Sequence, residues 1–350
     1  MAPETPGAIT DVAGIAVGHH QRTSGRWRTG STVVMCPDGA VAGCEVRGGG
    51  PGTRETDALA PWNLVEEIHA VCLTGGSAYG LAAADGVMQH LAARGLGFRV
   101  GTAPSEVVPV VPTAVIFDLG RGGDFAHRPD AGFGARAAAA ASRRNRARGS
   151  IGAGTGAMAG GLRGGVGTAS ARVRIAADEH GPDLEFTVGA LCVVNARGSL
   201  IDPTTGAPWV RHPHVRRPSA TDRRSLGVHH AAATSPATGA PLNTTIGVVA
   251  TDAHLTRPEA TRLAMSGHDG LAHAIRPVHT LADGDTIFAM STRRIAIDRP
   301  NRPVVVNALL AAAADTVALA CVDAIVNAHG APGAVAYADL CPSALRQVGR

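Results

Sequence analysis

Apolar positions recur along the chain with two periods, and their alternation lays out the elements. Residues 8–48 form a β-rich, glycine-punctuated segment: Ile9, Val12, Ile15 and Val17, then Thr32-Val-Val-Met, then Ala40-Val-Ala. Residues 60–70 read as a short helix and Val71-Cys-Leu as a short buried strand. A helix is predicted over 77–93, where Leu81, Ala84, Val87, Met88 and Leu91 keep the three- and four-residue spacing of one face. Residues 107–117 are apolar but broken by proline, 135–144 read as an Ala-rich helix, and 150–167 are very rich in glycine. Strands are predicted at 166–175 and 184–194.

Between Arg197 and Asn243 the pattern disappears. This stretch carries Pro203, Pro208, Pro213, Pro218, Pro236 and Pro241 among many Arg, His and Thr residues. A structureless connection of that length inside a compact domain marks function or mobility. Order returns abruptly with the strand Thr244-Thr-Ile-Gly-Val-Val-Ala, then a helix over 258–274, a strand over 286–291 and a long apolar helix from Val304. Strands and helices are mixed along the chain, which predicts a layered α/β or α+β domain with its sheets at the centre.

Composition narrows this picture. The chain has 350 residues, 45% hydrophobic but only 3% aromatic, so Ala, Gly, Val and Leu must build the core by close approach. There is no lysine; all 32 basic residues are Arg. That excludes a lysine Schiff base, a pyridoxal anchor, a Ser–Lys dyad and a P-loop lysine, because Arg stays protonated. The basic clusters at 143–148 and 211–224 lack interleaved aromatics, so they read as solvated surface rather than as a nucleic-acid interface. No pair of the six cysteines has C-x-x-C spacing, and most lie in apolar runs, as buried free thiols of a reducing, cytoplasmic compartment do. No basic-then-apolar leader opens the chain, and the apolar stretch 304–326 is interrupted by Asn307, Asp315 and Asp323, as in a buried helix rather than a membrane span.

Several segments carry possible chemistry. At Asn243-Thr244-Thr245 a long loop ends on a Thr that starts a buried strand. Such a hydroxyl can attack its own preceding peptide bond, and an α-amine freed on Thr244 titrates near pH ~8, suited to act as base for that hydroxyl. Taken alone, an ordinary strand Thr is the simpler reading. Asp283-Gly284-Asp285 puts two carboxylates just before a strand, where they either orient a nucleophile or make a surface turn. Gly152-Ala-Gly154-Thr-Gly156-Ala157 fits a dinucleotide fingerprint but lacks the strand and helix around it, so a backbone-lined wall is the better reading. Ser77, in Thr74-Gly-Gly-Ser-Ala-Tyr79-Gly, reads as a helix N-cap ahead of a nucleophile. His212, His214, His229 and His230 lack metal-ligand spacing and read as solvated loop.

Together these segments resemble the L-aminopeptidase/D-esterase family, which includes the β-aminopeptidases and nylon-oligomer hydrolases. The matching pieces are Gly14-Ile-Ala-Val-Gly, Leu73-Thr-Gly-Gly-Ser-Ala-Tyr-Gly-Leu81, Gly152-Ala-Gly-Thr-Gly, Gly164-Gly-Val-Gly-Thr-Ala-Ser170, Val194-Asn195, Asn243-Thr-Thr-Ile-Gly-Val-Val-Ala-Thr-Asp252 and Asp283-Gly-Asp-Thr286. They span nearly the whole chain, and 243–252 is the most specific.

The resemblance implies one αββα sandwich over 1–350, cut by itself into a 1–243 α chain and a 244–350 β chain. It implies a tetramer of such units, no metal or organic cofactor, and a small peptide or amino-acid-derived substrate. Thr244 falls on the nucleophile position, Asn195 on the asparagine that helps hold the oxyanion or nucleophile, and Asp283 and Asp285 on the acidic pair near the nucleophile's amine. Arg163 stands where nylon-hydrolase-like relatives carry a lysine; it supplies charge but shuttles no proton. Phe117 stands where some members place a tyrosine, so a hydroxyl is missing there. Tyr79, Phe117 and Asp118 are the expected substrate contacts, Asp118 receiving the substrate's amine. Two alternatives are an acyltransferase of the ornithine-acetyltransferase type and a non-enzymatic dinucleotide-binding protein built on the 152–157 loop.

Overall fold

A computed structural model describes residues 6–176, 183–233, 242–298 and 300–346. The strands of its main sheet are β1 (Ala16–Arg22), β2 (Thr29–Val46), β3 (Thr53–Arg54), β4 (Ile68–Thr74), β5 (Thr113–Val115), β6 (Gly165–Ile175), β7 (Leu184–Asn195), β8 (Thr244–Ala253) and β9 (Thr286–Ile295). They form one sheet in the order β6-β7-β8-β9-β2-β4-β5-β3, with β1 also paired to β2. The β8–β9 and β4–β5 pairs are parallel and the others antiparallel. The main helices are α1 (Ala83–Ala92), α2 (Ala131–Ala139), α3 (Ala220–Ala233), α4 (Arg257–Ala274) and α5 (Arg302–Val326).

The long strand β2 divides the sheet into two halves. Its first part, to Met35, pairs with β1 and β4, whereas Val41 to Val46 pair with β9. The register shifts between Met35 and Ala40, around Pro37, which has no amide donor, and Gly39, whose φ is +79°. Three apolar clusters follow. One joins α1 and α2 to the β1–β2–β4 half through Val33, Met35, Cys72, Val87, Leu91 and Ala137. A second lies between the two halves, with Val34, Leu73 and Ile116 meeting Leu191, Val193, Ile246, Val248 and Phe288. A third packs α4 and α5 on the other half through Cys192, Val249, Leu263, Leu271, Ile287 and Val317. Consecutive residues of β7 and β8 alternate between the second and third clusters, the period-two geometry of a strand buried on both faces. That is why all ten residues of β8 are buried and why its sequence lacks a polar alternation.

Glycine gives the close approach that the aromatic-poor composition calls for. A Cβ on Gly167 would come within 2.0 Å of the Ala320 carbonyl of α5, and one on Gly43 within 2.4 Å of the Thr261 nitrogen of α4. Among the described residues α5 is the one helix long and apolar enough to cross a membrane, and 72% of its most apolar window is buried inside the protein.

Two sequence expectations are corrected. Residues 60–70 form no helix: turns follow Pro61, and β4 begins at Ile68, because Ile68-His-Ala-Val-Cys-Leu continues the buried strand backwards. The patternless stretch 197–243 contains α3. That helix has little apolar face to betray it, with Leu226 buried, and it docks through polar groups. Asp222 accepts hydrogen bonds from Ser343 N (2.9 Å) and Ser343 Oγ (2.5 Å), and the Ser219 hydroxyl caps Asp222 N at 3.1 Å. Residues 234–241 lie outside the described residues.

One buried charge ties α5 to the sheet. Asp323, fully buried, accepts from Arg148 Nη1 (2.8 Å), Thr168 N (2.9 Å) and Asn327 Nδ2 (3.0 Å), with His212 Nε2 at 3.4 Å. Removing it takes the carboxylate from the partly buried Arg148 guanidinium and leaves the buried Thr168 amide without its acceptor. Asp323→Ala is therefore expected to lower stability by about 3–5 kcal/mol, seen as a large fall in the urea midpoint; a shift under ~1 kcal/mol would mean the charge is solvated.

Candidate active site

Chain entering β8 passes from solvent to core within three residues: Leu242 is 50% exposed, Asn243 6% and Thr244 5%. The β7–β8 register sets Asn195, the last residue of β7, directly opposite Thr244. Ahead of the strand, Asn243 runs beside the 280–285 turn, its N–H donating to Ala282 O (3.0 Å) and its carbonyl accepting from Gly284 N (3.2 Å). The same Gly284 N–H reaches Thr244 Oγ1 at 3.1 Å, and Oγ1 itself donates to the Asn243 carbonyl oxygen. One backbone amide thus points at both the carbonyl of the 243–244 peptide bond and the hydroxyl next to it.

The acidic pair builds the turn that presents this amide. Asp283 Oδ2 accepts from Thr280 N (2.9 Å) and Thr280 Oγ1 (2.6 Å), and its Oδ1 from Arg197 N (3.3 Å). Asp285 Oδ1 accepts from Thr245 N at 2.6 Å, which fixes the residue after Thr244. Its Oδ2 accepts from His279 N at 3.2 Å and meets His279 Nδ1 at 2.8 Å. The glycine loop after β2 packs on the turn's back, with Gly50 N donating to Asp283 O at 2.7 Å; a Cβ on Gly48 would lie 2.3 Å from Asp285 N.

Asn195 belongs to a second network. Its Oδ1 accepts from Met158 N (3.0 Å) and Arg121 Nη1 (2.5 Å), and its Nδ2 donates to Phe117 O (3.3 Å). Phe117 therefore contributes its backbone carbonyl, and its ring lies 5.6 Å under the Arg121 guanidinium. Arg121 Nη2 also donates to Leu242 O (2.6 Å) and Asn243 Oδ1 (2.7 Å). Burial lowers the pKa of Arg121, against the raising pull of Asp118. Arg163, expected to bring charge to the site, is spent elsewhere: its guanidinium donates to Thr155 O (2.6 Å), His329 O (3.3 Å) and Ala157 O (3.5 Å), and burial lowers its pKa to about 10.

Asp118 is buried within the turn that carries Arg121, whose N–H donates to Asp118 O at 3.3 Å. Its Oδ1 accepts from Gly76 N at 2.7 Å, while Oδ2 makes no hydrogen bond and the Thr29 hydroxyl lies beside it without completing one. Burial pushes its pKa up to about 6, against the lowering pull of Thr29, Gly76 N–H and Arg121. Tyr79 is 56% exposed, and its ring stacks under Arg128 at 3.6 Å; it takes no part in the hydrogen bonds around Thr244. Ser77 does not cap the helix with its side chain: Gly76 holds the N-cap, and Ser77 adopts a left-handed φ of 51°. Gly152–Gly154 form a short 3₁₀ turn buried against His19 and Thr32, and a Cβ on Gly152 would lie 2.3 Å from Thr32 Oγ1, so this loop is packed by protein and offers no dinucleotide cradle. His212 turns to Asp323 and His229 to Gly161 O at 3.0 Å, rather than into solvent.

Arg121, His279 and Gly284 are the residues that sequence reasoning did not assign. Gly284 lay within a recognised motif, but its backbone role leaves no side-chain signature. Arg121 sits in Asp118-Leu-Gly-Arg-Gly-Gly, one of many Arg residues in glycine-rich surroundings.

Comparisons with known proteins show the family and the fold. The model of peptidase family S58 matches residues 7–337. An uncharacterised aminopeptidase of Mycobacterium tuberculosis (strain ATCC 25618 / H37Rv) is 46% identical over 358 residues, covering 96% of this chain and 98% of that protein. The 6-aminohexanoate-oligomer endohydrolase of Kocuria sp. (strain KY2) is 31% identical over 302 residues, covering 84% and 76%. The solved L-aminopeptidase D-Ala-esterase/amidase of Ochrobactrum anthropi, described as a variant of the Ntn hydrolase fold, superposes with a TM-score of 0.68 at 22% identity, covering 96% of this chain and 92% of that one, and shares its fold.

The raised pKa of Asp118 has a thermodynamic consequence. Folded protein holds the proton up to about pH 6, whereas the unfolded chain releases it near the carboxyl's ordinary value of 3.8. The folded state is thus favoured below the unfolded value and loses that advantage as pH rises to about 6. Relative to Asp118→Asn, wild type is expected to lose on the order of 3 kcal/mol between pH 4 and 7; parallel urea titrations of the two proteins would contradict this.

Proposed function

Since the chain belongs to peptidase family S58, we propose that it is a self-processing amide hydrolase of the aminopeptidase type, cut between Asn243 and Thr244 and using Thr244 as its nucleophile. The observation that carries this is the junction itself: a buried Thr hydroxyl against the carbonyl of its own preceding residue, with one amide, Gly284 N–H, directed at both.

In the processing step Thr244 Oγ1 adds to the Asn243 carbonyl carbon. The carbon–nitrogen bond to Thr244 breaks, and the hydroxyl proton ends on the departing nitrogen. Water then cleaves the resulting ester, leaving an Asn243 carboxylate, a restored hydroxyl and a free α-amine on Thr244. Gly284 N–H holds the oxygen on which negative charge develops, as an oxyanion donor does.

The mature reaction repeats this chemistry on a separate molecule. The Thr244 amine, with an ordinary pKa of ~8, takes the hydroxyl proton as Oγ1 attacks the substrate carbonyl. The departing amine is protonated, and water hydrolyses the acyl-enzyme. Asp285 acts through Thr245, whose amide it grips, and Asp283 through the turn that aims Gly284; Asn195 holds the wall opposite Thr244. The unpartnered oxygen of Asp118 suits it to receive a substrate ammonium, and a peptide, an amino-acid amide or ester, or an ω-amino-acid oligomer carries such a group.

Intact-mass analysis is expected to find two fragments, the second beginning at Thr244, in wild type and a single full-length chain in Thr244→Ala. Thr244→Ala should also abolish hydrolysis of amino-acid anilides, whereas Thr244→Ser, which keeps a hydroxyl, should retain measurable cleavage. An uncut wild type that hydrolyses anilides, or an active Thr244→Ala protein, would refute the assignment.

A further inference from the structure

Arg121 occupies a position that none of the expected roles covers. Its guanidinium joins the two halves of the junction, Asn195 on β7 and residues 242–243 ahead of β8, through bonds of 2.5, 2.6 and 2.7 Å. Residue 242 is half exposed, and this contact fixes its carbonyl beside the Asn243 backbone that the 280–285 turn holds. The bond to Asn243 Oδ1 also sets the side chain of the residue that supplies the attacked carbonyl. A planar guanidinium reaches three acceptors on two separate segments at once, which an ammonium cannot do in the same plane. Arg163 cannot stand in, because its donors are directed at the carbonyls of Thr155, Ala157 and His329.

We propose that Arg121 is the positioning residue of self-cleavage: it pins Leu242–Asn243 against Asn195, so that the Asn243 carbonyl faces Thr244 Oγ1 and Gly284 N–H. The proposal rests on Thr244 being the self-cleaving nucleophile, and it assigns to a residue outside the expected set the cationic contact at the cut.

The test follows cleavage over time on denaturing gels and by intact mass after expression of the full chain. Loss of charge-assisted hydrogen bonds of this kind slows a step on the order of 10- to 100-fold. Arg121→Ala is expected to slow processing by that factor, and Arg121→Lys to restore part of the rate. A merely structural role would not couple Arg121 to Asn243. Asn243→Ala should therefore slow cleavage in the wild-type background and add little to Arg121→Ala, while Asn243→Asp, which keeps an acceptor for the guanidinium, should cut faster than Asn243→Ala. Should Arg121→Ala fail to fold, the Asn243→Ala and Asn243→Asp pair still decides, since equal rates for the two would overturn the proposal. So would an Arg121→Ala chain cut at the wild-type rate, or effects at 121 and 243 that multiply independently. A wild-type chain with no fragment beginning at Thr244 would instead overturn the nucleophile assignment on which the proposal stands.

Discussion

A strand buried on both faces must be entered from somewhere, and in this protein the entry is the site. Every residue of β8 is buried between the two interior clusters, while the chain feeding it comes from half-exposed Leu242. Backbone groups at such a threshold have neither solvent nor the regular ladder to satisfy them on all sides. Here the 280–285 turn, the end of β7 and the Arg121 loop supply the partners, and each supplies them to the 242–245 segment. The hydrogen-bonding needs of a strand end thus draw donors and carboxylates to one point, and that point holds a hydroxyl next to a carbonyl.

The charge arrangement follows from having Arg as the only strong base. Two Arg residues, the buried Arg163 and the half-buried Arg121, do different work. Arg163 braces the glycine-rich wall by gripping carbonyls, whereas Arg121 reaches residues 242 and 243. Asp118 shares the Arg121 turn and keeps one carboxylate oxygen without a hydrogen bond. A buried oxygen left so is costly, and this is what supports the proposal that Asp118 meets a substrate ammonium.

Much of this was legible in the sequence, for identifiable reasons. β8, β7, β6 and the long helix α5 declare themselves through unbroken apolar runs, and the Thr244, Asn195, Asp283 and Asp285 motifs through order and spacing; the structure gathers those four residues at one end of the sheet. Where a role is carried by backbone or by a side chain of unremarkable context, the sequence is silent. Gly284 acts through its N–H. Arg121 is one of 32 similar residues and becomes distinctive only when the fold brings residues 195 and 242 together. Arg163 lies on a matching motif, yet its donors turn toward local carbonyls that no alignment of letters displays. α3 was hidden because it docks by Asp222 and Ser343 instead of by an apolar stripe.

The order in which the sheet is assembled makes the junction a gauge of its own construction. Asn195, Gly284, Arg121 and Thr244 come from four distant stretches of chain, and β8 must already lie between β7 and β9 before they meet. A chain with a misplaced strand cannot align them, so on this reading it stays in one piece. Under the proposed function, the severed bond would serve as an irreversible record that folding succeeded. The same interleaving would hold the pieces together afterwards, because the β8–β9 pair of the second fragment lies between β7 and β2 of the first and has no route out short of unfolding the sheet.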